Sequence, residues 1–239
     1  MKIWYMNGAG NDFMVMDARG GAYDFQALSV ELCKLTNADG FMAIDHSEKA
    51  DFKLHFYNSD GSRGEMCGNG ARCICRFAYD LGLVGDSMVV ETDAGLVPGW
   101  RLSETQYKVK LNNPGVPHAV FQLREDIWGN ADALKARFEA LRHDPAFPKG
   151  ANVNAHQWID EAEVRVLTFE RGVEDYTLAC GTGCGSTAAA LWATGKLPGG
   201  RLLCHNRGGD LTVTVSGENG VIDSILLEGP TEVVKIYEL

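Results

Sequence analysis

One short pattern occurs twice in this chain, 113 positions apart in a sequence of 239 residues. Cys67-Gly68-Asn69-Gly70 runs on into Ala71-Arg72-Cys73-Ile74-Cys75-Arg76, and Cys180-Gly181-Thr182-Gly183 into Cys184-Gly185-Ser186-Thr187-Ala188. Each copy follows a β-like run that ends in polar residues and glycine: Phe56-Tyr57-Asn58-Ser59-Asp60-Gly61 in one, Leu167-Thr168-Phe169-Glu170-Arg171-Gly172 in the other. Each then opens into small, helix-compatible sequence. A strand, a Cys-Gly-x-Gly turn and a helix, repeated at about half the chain length, point to duplication. The expected product is two similar α+β halves with a cleft between them.

The rest of the chain is consistent with that division. Lys2–Met6 and Phe13–Asp17 read as a hairpin broken at Asn7-Gly8-Ala9-Gly10-Asn11-Asp12. Ala27–Leu35 has helical spacing, and Phe41–Ile44 and Phe52–Tyr57 read as strands. A helix is expected from about Gly70 to Leu81, with Gly82 as its stop. Met88–Thr92 and Tyr107–Leu111 extend the sheet before Asn112-Asn113-Pro114-Gly115, the strongest cluster of chain breakers. Beyond it come a strand at Ala119–Gln122, a helix at Asp132–Arg142 and a strand at Glu163–Phe169. The Cys180 helix is expected to reach about Thr194, followed by strands at Leu211–Val215 and Ile222–Leu227. The expected organisation is an N-terminal half over 1–113, a C-terminal half over 114–229, and a strand from 230–239 that returns to close the first half.

Composition excludes several classes of function. The chain is 45% apolar with a formal net charge of −10 and no cluster of Lys or Arg, so a nucleic-acid surface is not expected. No stretch approaches the roughly 18 apolar residues of a membrane span, and polar residues interrupt the N-terminus where a signal peptide needs an apolar run. A cytoplasmic protein is expected. Seven cysteines without a secretion signal read as reduced thiols. Cys73 and Cys75, like Cys180 and Cys184, fall in helix-like sequence rather than on zinc-binding loops, so no metal site is expected.

A thiol at a helix N-terminus can work as an acid or a base, because the positive end of the helix dipole favours the thiolate. A single such cysteine is more often a small packing residue. Two matched copies favour chemistry instead. Inverting the configuration of an amino-acid α-carbon needs a base on one face and an acid on the other, and paired thiols can supply both. The amides at Gly68-Asn69 and Gly181-Thr182 would receive the substrate carboxylate and the charge that develops as the α-proton leaves.

Further motifs run along nearly the whole chain: Asn7-Gly8-Ala9-Gly10-Asn11-Asp12-Phe13, Ala38-Asp39-Gly40, Asn58-Ser59-Asp60-Gly61-Ser62 and Cys67-Gly68-Asn69-Gly70-Ala71-Arg72. They continue through Gly115-Val116-Pro117-His118-Ala119-Val120, Asn152-Val153-Asn154, Glu170-Arg171-Gly172 and Ala179-Cys180-Gly181-Thr182-Gly183. In these motifs the chain resembles the diaminopimelate epimerase family of cofactor-independent amino-acid racemases and epimerases. The resemblance implies two pseudo-symmetric halves, each a mostly antiparallel sheet wrapped around a central helix. It implies that Cys67 and Cys180 are the acid–base pair and that Gly68, Asn69, Gly181 and Thr182 bind the α-carboxylate. Glu170 would hold the α-ammonium, and Asn11, Asn58, Asn154 and Arg171 would read the far end of the substrate. It implies no cofactor, neither pyridoxal phosphate nor metal. The expected partners are a small amino-acid substrate and a second copy of the chain in a homodimer.

Some residues depart from the family pattern. Val116 stands where many members carry an Asn that reads the far end of diaminopimelate, and Gly40 stands where some have Gln. Val116 keeps open a same-fold racemase acting on another amino acid such as histidine. The second alternative is a redox-sensing or zinc-binding protein using Cys67, Cys73, Cys75 and Cys180. By themselves, Glu170-Arg171 could be a surface ion pair and His118 a structural residue.

Overall fold

A computed structural model describes residues 1–64, 66–112 and 116–239. In chain order the elements are β1 (Lys2–Gly8), β2 (Asn11–Asp17), α1 (Phe25–Thr36), β3 (Gly40–Asp45), β4 (Phe52–Asn58), α2 (Gly68–Asp80), β5 (Ser87–Thr92), β6 (Gly95–Arg101) and β7 (Gln106–Lys110). There follow β8 (His118–Gln122), α3 (Ala131–Arg142), β9 (Asn152–Asp160), β10 (Glu163–Glu170), β11 (Asp175–Thr177), α4 (Gly181–Ala193), β12 (Arg201–Asn206), β13 (Gly209–Glu218), β14 (Val221–Pro230) and β15 (Glu232–Glu238). Met1–Asn112 with Glu228–Leu239 form one compact unit, and the described residues up to Leu227 form the other. The breaker residues Asn113, Pro114 and Gly115 lie outside the described part of the chain.

In the first unit the strand order is β15-β1-β2-β3-β4-β5-β6-β7. β1 and β2 form the expected hairpin, turning through Ala9 and Gly10 with φ of 54° and 88°. A two-residue turn with both residues at positive φ matches the twist of the paired strands. β2–β3 and β4–β5 are the parallel pairs, and each is joined through a helix, α1 and α2 respectively. Parallel neighbours cannot be linked by a tight turn, so they need such a crossover. The remaining neighbours, including β15 with β1, are antiparallel.

The second unit repeats the scheme. β8–β9 and β10–β12 are parallel and joined through α3 and α4, while β9–β10 and β12–β13 are antiparallel. The order is β14-β13-β12-β10-β9-β8, with the short β11 on β10. The fold is therefore α+β, with parallel steps set regularly among antiparallel ones.

The second crossover helix of each unit is the central one. α2 packs on β1, β2, β3, β6 and β7, and α4 on β8, β9, β12 and β13. Enclosure of this kind requires small residues where backbone approaches backbone. A Cβ on Gly8 would lie 2.8 Å from Cys73 Sγ, and one on Gly99 would lie 2.7 Å from Cys75 Sγ. Those two cysteines are core packing, buried against glycines of neighbouring strands. β6 was not among the expected strands, and Pro98-Gly99 within it ordinarily argue against one. Its pairing with β7 begins at Gly99, so the ladder leaves off where Pro98 lacks an N–H, and Gly99 admits Cys75. No helix among the described residues is long and apolar enough to cross a membrane.

Candidate active site

Cys67 and Cys180 are the N-cap residues of α2 and α4, with φ, ψ of −125°, 123° and −126°, 110°. The carbonyl of each accepts the first intrahelical bond, from Ala71 N at 2.7 Å and from Cys184 N at 2.9 Å. In this geometry the amides of Gly68 and Asn69, and of Gly181 and Thr182, stand ahead of the first internal acceptor. Each helix start thus presents a thiol beside backbone donors at the positive end of a dipole.

The thiol of Cys180 is buried and bonded. Its sulfur accepts from Gly183 N at 3.3 Å and lies 3.4 Å from Thr182 Oγ1. The sequence argument expected helix ends to tune such thiols downward. For Cys180 the structure reverses this. Burial, then the nearby Glu170 carboxylate, push it well above its ordinary value, and the bonds from Thr182 and Gly183 offset this only in part. Cys67 is half-buried, with no side-chain capping bond to its helix.

Around α2, a polar chain fixes the helix start. Asn69, 1% exposed, donates Nδ2 to Asn11 Oδ1 at 2.7 Å, and Asn11 donates to Asp39 Oδ2 at 3.1 Å. Asp39 also accepts Asp12 N at 3.0 Å. Asp39, within the Ala38-Asp39-Gly40 motif, thereby ties β2 to the segment before β3. Asn58 is exposed at the end of β4, donating to Ser62 Oγ at 2.9 Å.

Around α4, Glu170 closes β10 and Arg171 follows it in the turn, both half-buried. Asn152 Oδ1 accepts Arg171 N at 2.8 Å, and the Lys149 carbonyl accepts from the Arg171 guanidinium at 3.2 Å. Asn154 does not fit the expected part of a pocket-lining reader. It is fully buried, its Oδ1 takes Thr168 Oγ1 at 2.9 Å, and its Nδ2 points at His118 Nδ1 at 3.0 Å. A Cβ on Gly183 would fall 2.4 Å from Asn154 Oδ1, so Asn154 sits directly behind the Cys180 turn. Alternation along β9 puts Asn152 and Asn154 on one face, and Asn152 is the member that reaches Arg171. Asn152, Thr168 and the Arg142–Glu174 pair are the supports that sequence reasoning missed.

His118 begins β8. Burial holds it down at about 4, so the ring is neutral at pH 7, and Nδ1, accepting from Asn154, leaves its proton on Nε2. Among the described residues no three His, Cys, Asp or Glu side chains converge as metal ligands.

Comparison with known proteins shows the family to which the chain belongs. The sequence profile of the family described as diaminopimelate epimerase matches residues 3–114 and 110–234. The chain is 32% identical over 255 residues to the diaminopimelate epimerase of Flavobacterium psychrophilum, covering 98% of each. It is 34% identical over 277 residues to that of Aquifex aeolicus, covering 100% of this chain and 96% of that protein. Among solved structures it is similar in fold to a phenazine biosynthesis protein of the PhzF family from Bacillus anthracis. The TM-score is 0.78 at 16% identity, over 100% of this chain and 98% of that one. With both cysteine turns inside the matched residues, the chain belongs to the diaminopimelate epimerase family.

Proposed function

We propose that the protein interconverts LL- and meso-diaminopimelate by proton transfer between two thiols, without pyridoxal phosphate or metal. The observation that supports this most directly is the pair of cysteine N-caps, alike in backbone and each beside donor amides. One thiolate removes the α-proton and becomes a thiol, leaving a carbanion whose charge spreads into the α-carboxylate. The other thiol then delivers its proton to the opposite face and becomes the thiolate. Because burial and Glu170 hold Cys180 protonated, Cys180 starts as the donor and Cys67 as the base in one direction. The reverse reaction exchanges the roles.

The carboxylate is received by the amides at Gly68-Asn69 and Gly181-Thr182, where charge development is stabilised by donors already in place. Glu170 takes the α-ammonium. Arg171 binds the far carboxylate, for which a guanidinium supplies two parallel donors, and Asn11 and Asn58 complete the polar lining. Asn154 acts from behind α4 rather than on substrate. The same proposal makes the enzyme cytoplasmic and a homodimer, and sedimentation at twice the 26.0 kDa chain mass would support the assembly.

The test is α-deuterium incorporation from D₂O with LL-diaminopimelate beside a panel containing histidine. Diaminopimelate should exchange and invert, and histidine should do neither. Wild-type protein that racemises histidine faster than it epimerises diaminopimelate would overturn the substrate assignment.

A further inference from the structure

The turn that carries Glu170 and Arg171 is held by a carboxylate from within it. Glu174 has φ of 57°, left-handed backbone that a side chain adopts only at a cost. Its N–H bonds the Glu170 carbonyl at 2.9 Å. Its Oε1 accepts both Gly172 N at 2.9 Å and Arg142 Nη2 at 2.6 Å. Glycine would take this backbone without strain, so the specific contribution of Glu174 is its carboxylate.

Arg142, the last residue of α3, is 8% exposed. It also packs on the segment leading into β9. Its carbonyl takes Ala151 N at 3.3 Å, and a Cβ on Gly150 would fall 1.7 Å from its Nη1. Arg171 is held by these same two segments, through the Lys149 carbonyl and Asn152 on one side and the β10 turn on the other. One buried guanidinium therefore stands between both supports of Arg171.

We propose that Arg142 and Glu174 form an ion-paired clamp that positions Arg171 for a substrate carrying a second carboxylate. This rests on the diaminopimelate reading above. Neither residue touches substrate; both are positioning residues. Losing the clamp leaves the chemistry at the thiols intact and weakens a contact made equally in the ground and transition states. Such a loss raises KM and leaves kcat nearly unchanged.

Glu174→Gly separates positioning from folding, because it removes the carboxylate while relieving backbone strain. Its KM for LL-diaminopimelate should rise roughly tenfold, the factor given by about 1.4 kcal/mol of binding, with kcat within about twofold. Arg142→Met should raise KM alike, and Arg142→Lys should restore part of it. Hydrogen exchange at the Arg171 and Gly172 amides should quicken in Glu174→Gly and Arg142→Met. Folded Glu174→Gly with wild-type KM and wild-type amide exchange overturns the clamp, as does a fall in kcat alone that tracks lost folded protein. If wild-type protein fails to epimerise diaminopimelate, the functional reading falls instead, and exchange at Arg171 and Gly172 still decides whether the clamp orders the turn.

Discussion

Mild acid should weaken the C-terminal unit through a buried imidazole. His156, on β9, is 4% exposed and held down to about 4, first by burial and then by Lys196. In the unfolded chain the same ring titrates near its ordinary value of 6.5. Between those two values the unfolded state binds a proton that the folded state does not. Stability therefore rises with pH across this window and is lost as pH falls through it. Two and a half units of separation correspond to about 3 kcal/mol once fully developed, and to about 2 kcal/mol at pH 5. His156→Phe keeps an aromatic ring against Trp158, whose edge-to-face partner it is at 6.2 Å, and removes the titration. Urea unfolding at pH 7 and pH 5, followed by tryptophan fluorescence, should show the variant losing about 2 kcal/mol less than wild type over that interval. An equal loss in both proteins, or an NMR titration placing His156 near 6.5 in the folded state, would refute the reasoning.

Cys67→Ala and Cys180→Ala should each abolish epimerisation, with Ser variants far slower than wild type because a hydroxyl is a much weaker acid; near-normal turnover by any of the four would refute the two-thiol scheme. Glu170→Gln removes a carboxylate that raises the Cys180 thiol, so alkylation of Cys180 by iodoacetamide should speed up at fixed mildly alkaline pH, read by peptide mapping. Gly183→Ala would press a methyl to 2.4 Å from Asn154 Oδ1 and 2.9 Å from Thr168 Oγ1, and should cost about 1–3 kcal/mol in unfolding experiments while slowing turnover.

The order of elements was legible wherever hydrophobic period and breakers agreed. The β1–β2 hairpin, α2 stopping near Gly82, and α4 were all readable from sequence. β12 was missed because its buried positions alternate as Leu202, Cys204 and Asn206, and the last of these looks solvent-facing in sequence. β9 was missed because its buried face carries Asn152, Asn154 and His156, polar residues satisfied or sealed by partners distant in the chain. The two cysteine turns were visible because the same Cys-Gly-x-Gly pattern stands twice in the sequence. Asn154 was misjudged for the opposite reason: only the fold shows that Thr168 and His118 consume its amide. The state of Cys180 needed burial as well as helix position, and the dipole is the only one of the two written locally. Arg142 and Glu174 lie 32 positions apart and carry no local signature, so no reading of neighbours could join them.

The return of β15 to β1 has a consequence for how the protein is made. Lys2 pairs with Glu238 and Asn7 with Glu232, so a strand made early in synthesis waits for one made late to complete its ladder. The C-terminal unit, by contrast, is drawn from one continuous stretch of chain. During synthesis that unit can close while the N-terminal sheet still exposes an open edge along β1. Joining the ends of such a wide loop is entropically expensive, so it should come late in folding. Until then the bare edge of β1 is open to pairing with another chain.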